Sequence, residues 1–125
     1  MKIYVGHSNE IDYKNELYLP IRKSSLNDKY NFILPHEKSK EPFNSKDFLK
    51  CCDLFIAEVS AKSTGLGIEL GWADLLGVPI ICFHKNDVRP SSSLKVITNE
   101  FIEYENDIDF IHKISNSIKK IHGTK

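Results

Sequence analysis

A chain of 125 residues with 17 Lys and Arg against 17 Asp and Glu carries no formal net charge at pH 7. That balance removes the electrostatic case for a nucleic acid or a membrane surface as partner, although a small phosphate site needs only a few local donors. The length suits one domain, 1–125, able to bury roughly two-thirds of its unfolded surface and to fold without staples.

Residues 2–5 hold Tyr and Val and run into Gly6-His7-Ser8-Asn9, which predicts a strand emptying into a loop. Over 10–26, Tyr13, Leu17 and Ile21 at i+4 spacing predict a helix, kinked or restarted at Pro20. Asn27-Asp28 is a turn signal, and 30–34 reads as a second strand stopped by Pro35. The polar stretch 36–44 holds Pro42 and reads as a loop, a candidate mobile lid. A short helix carrying Phe48 and Leu49 is expected to start near Asn44 or Ser45. The run 53–59 has few polar interruptions, as a central strand covered on both faces should. A helix over 66–76 follows, with Gly77 as its C-cap, then a fourth apolar strand over 78–83. Polar 86–93 leads to a turn of helix at 94–97 and a short fifth strand, Phe101–Tyr104. Ile108, Ile111, Ile114, Ile118 and Ile121 mark a final helical stripe, and the tail from Gly123 is expected to fray.

Strands alternating with helices predict an α/β fold: three-layer and flavodoxin/Rossmann-like, a five-stranded parallel sheet with helices on both faces. Ligands of such sheets bind beyond the carboxyl ends of the strands, at the switch in strand order. The loops at 6–10 and 60–67 open there, so Gly6 and the Ser63–Gly67 turn are expected against the ligand. Cys51, Cys52 and Cys82 are odd in number, two are adjacent, and none has a metal-ligand or CxxC spacing. They read as small apolar residues beside core strands, in a reducing, cytoplasmic setting. The opening residues have too short an apolar run for a signal peptide or a membrane span.

Two features carry chemistry. In Ser63-Thr64-Gly65-Leu66-Gly67-Ile68-Glu69, Gly65 and Gly67 permit positive φ and close approach, and Ser63 or Thr64 is placed to cap the helix. Such a corner suits a phosphate, or is an ordinary glycine-rich turn. It is neither GxGxxG nor a Walker motif. Glu69, at the start of an apolar helix, is either a surface carboxylate complementing the helix dipole or a nucleophile or base inside a cleft. Tyr4, near the end of the first strand, is a buried strand tyrosine or a group that holds Glu69. Ser8 and His7 lie in the following loop, where either can donate to a ligand, although a lone loop histidine is usually solvated. Asp47 reads as a helix cap, Asp53 lies at the wrong sheet edge, and Glu58 is a pocket-edge candidate or a partner of nearby backbone.

The run from Asp53 through Ser63, Gly65, Gly67, Glu69, Gly71 and Ala73 resembles the signature of the nucleoside 2-deoxyribosyltransferase-like superfamily. The opening Lys2-Ile-Tyr-Val-Gly, the strand Pro79-Ile-Ile-Cys-Phe and the Ser91–Ser93 loop extend the resemblance over most of the chain. Transferases of that superfamily carry an acid just before the glycine turn, whereas its 2′-deoxynucleoside 5′-phosphate N-hydrolases carry a phosphate-binding Ser. Ser63 stands there, so the resemblance is to the hydrolase branch. It implies Glu69 as nucleophile, Tyr4 as the group orienting it, and Ser8 as a phosphate-binding serine. It implies Ser93 as another, given by the neighbouring subunit of a homodimer. The family's acid in the helix before the third strand falls on Ser45 by simple counting, with Asp47 two residues on. Asp47 is therefore the expected catalytic acid if the alignment shifts, and Ser45 a substrate-binding replacement if it does not.

The implied activity is hydrolysis of the N-glycosidic bond of (deoxy)nucleoside 5′-monophosphates through a covalent glycosyl-Glu intermediate, with a small-molecule nucleotide or nucleoside as partner and no cofactor or metal. The alternatives are base exchange between deoxynucleosides and a degenerate nucleotide-sensing module. A more distant one is a TIR-like domain, which also carries a Glu on a helix of a flavodoxin-like sheet.

Overall fold

The computed structural model describes residues 1–41 and 44–123. Pro42 of the expected lid and the last two residues of the expected frayed tail lie outside the described residues. Strands β1 (Lys2–His7), β2 (Asn31–Ile33), β3 (Leu54–Glu58), β4 (Ile80–Lys85) and β5 (Phe101–Tyr104) form one sheet in the order β2-β1-β3-β4-β5. Every pairing is parallel, with Ile3 opposite Phe32 and Leu54, Phe55 opposite Ile80, and Cys82 opposite Phe101. The direction of winding reverses between β1 and β3, so the crevice opens where His7 and Glu58 end their strands.

Both faces are covered, and each strand sends alternate residues to opposite cores. Ile3, Val5, Leu54 and Ile56 join Leu17, Ile21, Phe110, Ile114 and Ile118 on one side. There lie a π-helical turn (Lys14–Tyr18), α1 (Leu19–Lys23), α2 (Leu26–Lys29) and α5 (Asp107–Gly123). Tyr4, Phe55 and Ala57 join Leu49, Leu66 and Leu70 on the other, beneath α3 (Lys46–Lys50) and α4 (Thr64–Leu75). A 3₁₀ turn (Ser92–Val96) precedes β5.

Of the two outcomes expected at Pro20 the restart holds: α1 begins at Leu19, and Pro20 sits in its first turn, where its missing N–H costs nothing. The widened π turn just before it, closed by the Leu19 N–H on the Lys14 carbonyl, makes room for that start. Asn27-Asp28 is not a turn but the middle of α2. Ile108 is 80% exposed, and Phe110 takes its place in the core. At 100° per residue Ile108 lies about 120° from the centre of the stripe made by residues 110, 114 and 118.

β1 also runs past the expected Val5 to His7, which is buried, not solvated in a loop. The His7 ring stacks on Tyr13 with centroids 4.3 Å apart. Its Nδ1 lies 3.0 Å from the Ser8 carbonyl and its Nε2 2.6 Å from the Tyr18 hydroxyl. The Tyr18 oxygen also accepts the His36 backbone N–H at 3.0 Å. The neutral tautomer with Nδ1–H satisfies this chain: it donates to Ser8 and accepts from Tyr18. Burial pushes the His7 pKa from 6.5 down to about 4.

Because the folded pKa lies below the unfolded one, stability is full above about pH 6.5 and declines as the pH drops toward 4. The whole shift corresponds to about 3 kcal/mol. Urea midpoints should fall over that window in the wild type, and the fall should be smaller in His7→Gln. Equal slopes would show that His7 is not held neutral.

Gly6 pairs with Ala57 at the switch point. A Cβ there would meet the Phe55 ring at 2.6 Å and the Leu66 Cδ1 at 2.8 Å. The bare backbone lets the start of α4 pack against the end of β1. Gly6→Ala should therefore cost about 1–3 kcal/mol in urea denaturation. An unchanged midpoint would mean that the ring and α4 simply give way.

Candidate active site

α4 starts at Thr64, earlier than the expected Leu66, so Glu69 falls in its second turn and not beside the helix terminus. Its partners are hydroxyl groups rather than the open amides. The Tyr4 hydroxyl donates to Glu69 Oε2 at 2.5 Å, and the Ser45 hydroxyl donates to the same oxygen at 2.6 Å. Both donors are completely buried. Burial first, and the Glu69 charge second, hold the Tyr4 phenol far above its usual range, so it remains a donor. Ser45 occupies the N-cap of α3, where a serine ordinarily caps its own helix. It makes no cap bond there and gives its hydroxyl to Glu69 instead. Glu69 Oε1 has no protein donor among the described residues.

Glu69 lines a hollow of about 340 Å³ together with His36, Lys40, Ser45, Ser63 and Trp72. Ser63 and Leu66 also line a second hollow of about 400 Å³, with Thr64, Gly67, Ser91 and Ser93. The two hollows therefore meet at the start of α4. Ser63 has extended backbone and its Oγ accepts the Leu66 N–H at 3.2 Å, which leaves its own O–H to donate. The N–H groups of Thr64 and Gly65 precede the first intrahelical bond. Gly65 and Gly67 lie within α4, and neither has positive φ; among the described residues only Gly77 does. Their service is clearance. A Cβ at Gly67 would meet nothing within 4 Å and one at Gly65 only the Ser63 Oγ at 3.9 Å, so the face of the helix that these two glycines present is open.

The other expected residues divide. Ser93 shares the second hollow with Ser63 of its own chain. Ser8 is buried, and its Oγ accepts the Glu10 N–H at 3.1 Å, a loop-closing bond. Gly6 is a packing residue, as above. Asp47 is not brought to Glu69. Its side chain is 84% exposed and faces Lys50 at 3.7 Å, in a separate hollow with Lys2 and Asn31 at the amino edge of the sheet. Glu58 is on the far face, in contact with the Tyr104 hydroxyl, the Ser60 N–H (2.6 Å) and the Ser60 hydroxyl (3.0 Å). Sequence reasoning missed His36, Lys40, Asn9 and Trp72 as lining residues. For Trp72 a signal existed, since it follows Glu69 at i+3 on one helix face. The rest sit in irregular backbone with no periodicity to read.

No protein-family model matches the chain, and no curated protein matches its sequence. Among solved structures it is similar to that of the Clostridium botulinum CMP N-glycosidase BcmB, with a TM-score of 0.65 and 22% identity over 92% of this chain and 99% of that one. The two chains share a fold: a parallel five-stranded α/β sheet of three layers, as the alternating elements predicted.

Proposed function

We propose that this protein is a nucleotide N-glycosidase that hydrolyses (deoxy)nucleoside 5′-monophosphates to free base and sugar 5-phosphate. One observation carries the reading: Glu69 has one oxygen clamped by two buried hydroxyls and the other left without a donor, beside a hollow that continues past Ser63 into a hydroxyl-lined one. Two donors on Oε2 fix the orientation of the carboxylate. Oε1 is then the atom that attacks C1′ as the bond to the base breaks, giving a glycosyl ester that water opens in a second step. Trp72 and Ile68 provide an apolar wall for a flat base. Ser63, Ser93 and the first amides of α4 would receive the 5′-phosphate. The structural relative named a CMP N-glycosidase supports the same class of substrate.

A second reading, binding without turnover, is favoured by one observation: a serine, Ser45, stands beside Glu69 where an acid would protonate the departing base. A panel of deoxy- and ribonucleoside 5′-monophosphates, followed by chromatography for free base, separates the two. Base should appear from monophosphates and not from nucleosides. Base exchange between unphosphorylated nucleosides would instead indicate a transferase.

Glu69→Gln retains an acceptor for Tyr4 and Ser45, so the fold should persist while turnover falls by on the order of 10⁴-fold or more. Wild-type rates in that variant would remove Glu69 as nucleophile. Ser63→Ala should raise KM for monophosphates about tenfold, the loss of one hydrogen bond to a charged group, and leave nucleoside binding unchanged. Equal losses for both would reduce Ser63 to a helix cap.

A further inference from the structure

Breaking a C–N glycosidic bond places an electron pair on the base, and the leaving base needs a proton to carry it away. Glu69 is the only carboxylate lining its hollow among the described residues, and its role there is nucleophilic. Tyr4 and Ser45 are committed to its Oε2. Besides the Lys40 ammonium, which has donors but no acceptor to take a proton back from water, two imidazoles remain. His7 is spent: both ring nitrogens are engaged, it is buried, and its pKa near 4 keeps it neutral.

His36 differs in each respect. It is half-buried on the wall of the Glu69 hollow. Its backbone N–H is anchored on Tyr18, and its Nδ1 lies 3.3 Å from the Ser39 carbonyl, which makes Nδ1 the donor to that oxygen. Nε2 then has no partner among the described residues. The groups around the ring are His7 at 5.9 Å and Tyr13 at 6.0 Å between centroids, with Lys40 and Glu69 on the same hollow. Glu37, the next residue, is held by Arg22 at 2.8 Å and so is already paired.

We propose that His36 is the general acid and base for the leaving base, in place of a carboxylate. This rests on the N-glycosidase reading. In the first step Glu69 Oε1 forms its bond to C1′ while the C1′–N bond breaks. The electron pair goes to the base, and the proton on His36 Nε2 goes with it, leaving neutral imidazole. In the second, neutral His36 takes a proton from water as the hydroxyl oxygen attacks C1′ and the ester oxygen returns to Glu69. The imidazolium is restored, and the net change is addition of one water. Attack by water from the side the base has left lets one imidazole serve both steps. An imidazole is suited to this because its charge changes between about pH 5 and 8.

The test compares two leaving groups. One substrate is the monophosphate that the wild type turns over best; the other is the 4-nitrophenyl glycoside of the same sugar 5-phosphate, whose phenolate leaves without a proton. His36→Gln should lower kcat on the nucleotide about 10²- to 10⁴-fold. Release of nitrophenolate should change no more than about threefold in its burst phase, which also shows that the variant is folded. In the wild type, kcat/KM should fall on the alkaline side for the nucleotide and not for the nitrophenyl compound, a measurement that needs no variant. Equal losses on both substrates, no loss on either, or identical pH profiles would overturn the proposal alone. A wild type that cleaves neither compound would overturn the glycosidase reading, and this proposal with it.

Discussion

Two hydroxyl groups meet on one carboxylate oxygen, and the arrangement of this end of the molecule depends on that meeting. Tyr4 comes from the middle of β1, Ser45 from the threshold of α3, and Glu69 from the second turn of α4. Each needs the others. A phenol buried in an apolar core without an acceptor costs about 1–3 kcal/mol. A carboxylate facing that core needs donors to stay ionised. Bringing the three together brings α3 and α4 onto the same face of β1, and the gap at Gly6 lets them close. The geometry around Glu69 and the packing are here one constraint, which is why an isosteric amide is the informative replacement for Glu69 and alanine is not.

A second carboxylate shows how a fully satisfied one differs from Glu69. Glu58 also has a tyrosine and a serine as partners, Tyr104 and Ser60. Yet its Oε1 accepts the Ser60 N–H and its Oε2 both hydroxyls, so no oxygen is left over. It is 1% exposed. Ser60 Oγ in turn accepts the Lys85 N–H at 2.9 Å, and Lys85 Nζ reaches Glu16 at 2.8 Å. The cluster ties the loop after β3 to the end of β4 and to the π-helical turn. The same residue types thus serve two ends, and the free oxygen separates them.

The sheet was legible because parallel strands buried on both faces are apolar throughout, as 53–59 and 78–83 are. The Tyr4–Glu69 contact was legible because β1 and α4 both face the switch point. Glu58 illustrates a signal passed over. Phe55, Ala57 and Val59 share the core beneath α4, so the alternation of a strand sends Glu58 to the other side. Ser45 and Asp47 were inseparable by counting alone, yet two residues on a helix turn a side chain by about 200°, to the opposite face. One of them had to point away, and it is Asp47. The loop 36–44 was expected as a candidate lid, but nothing in the sequence singled out His36 within it. Its position comes from one backbone bond to Tyr18, a residue far along the chain that also engages His7.

Serine at position 45 alters the electrostatics of the site as well as its proton supply. Two carboxylates in contact cannot both ionise, and one of such a pair takes up a proton that it can later give away. With Ser45 and Tyr4 as its neighbours, Glu69 meets neutral donors only, so it has no like charge to share a proton with. On the proposed mechanism Glu69 would attack but could not help the base depart, and the proton would come from a group on another part of the wall. His7 and His36 both line the hollow, but only His36 has a ring nitrogen left without a partner among the described residues. The proposal thus divides the two tasks between a carboxylate on α4 and an imidazole on the loop after β2, on separate parts of one wall.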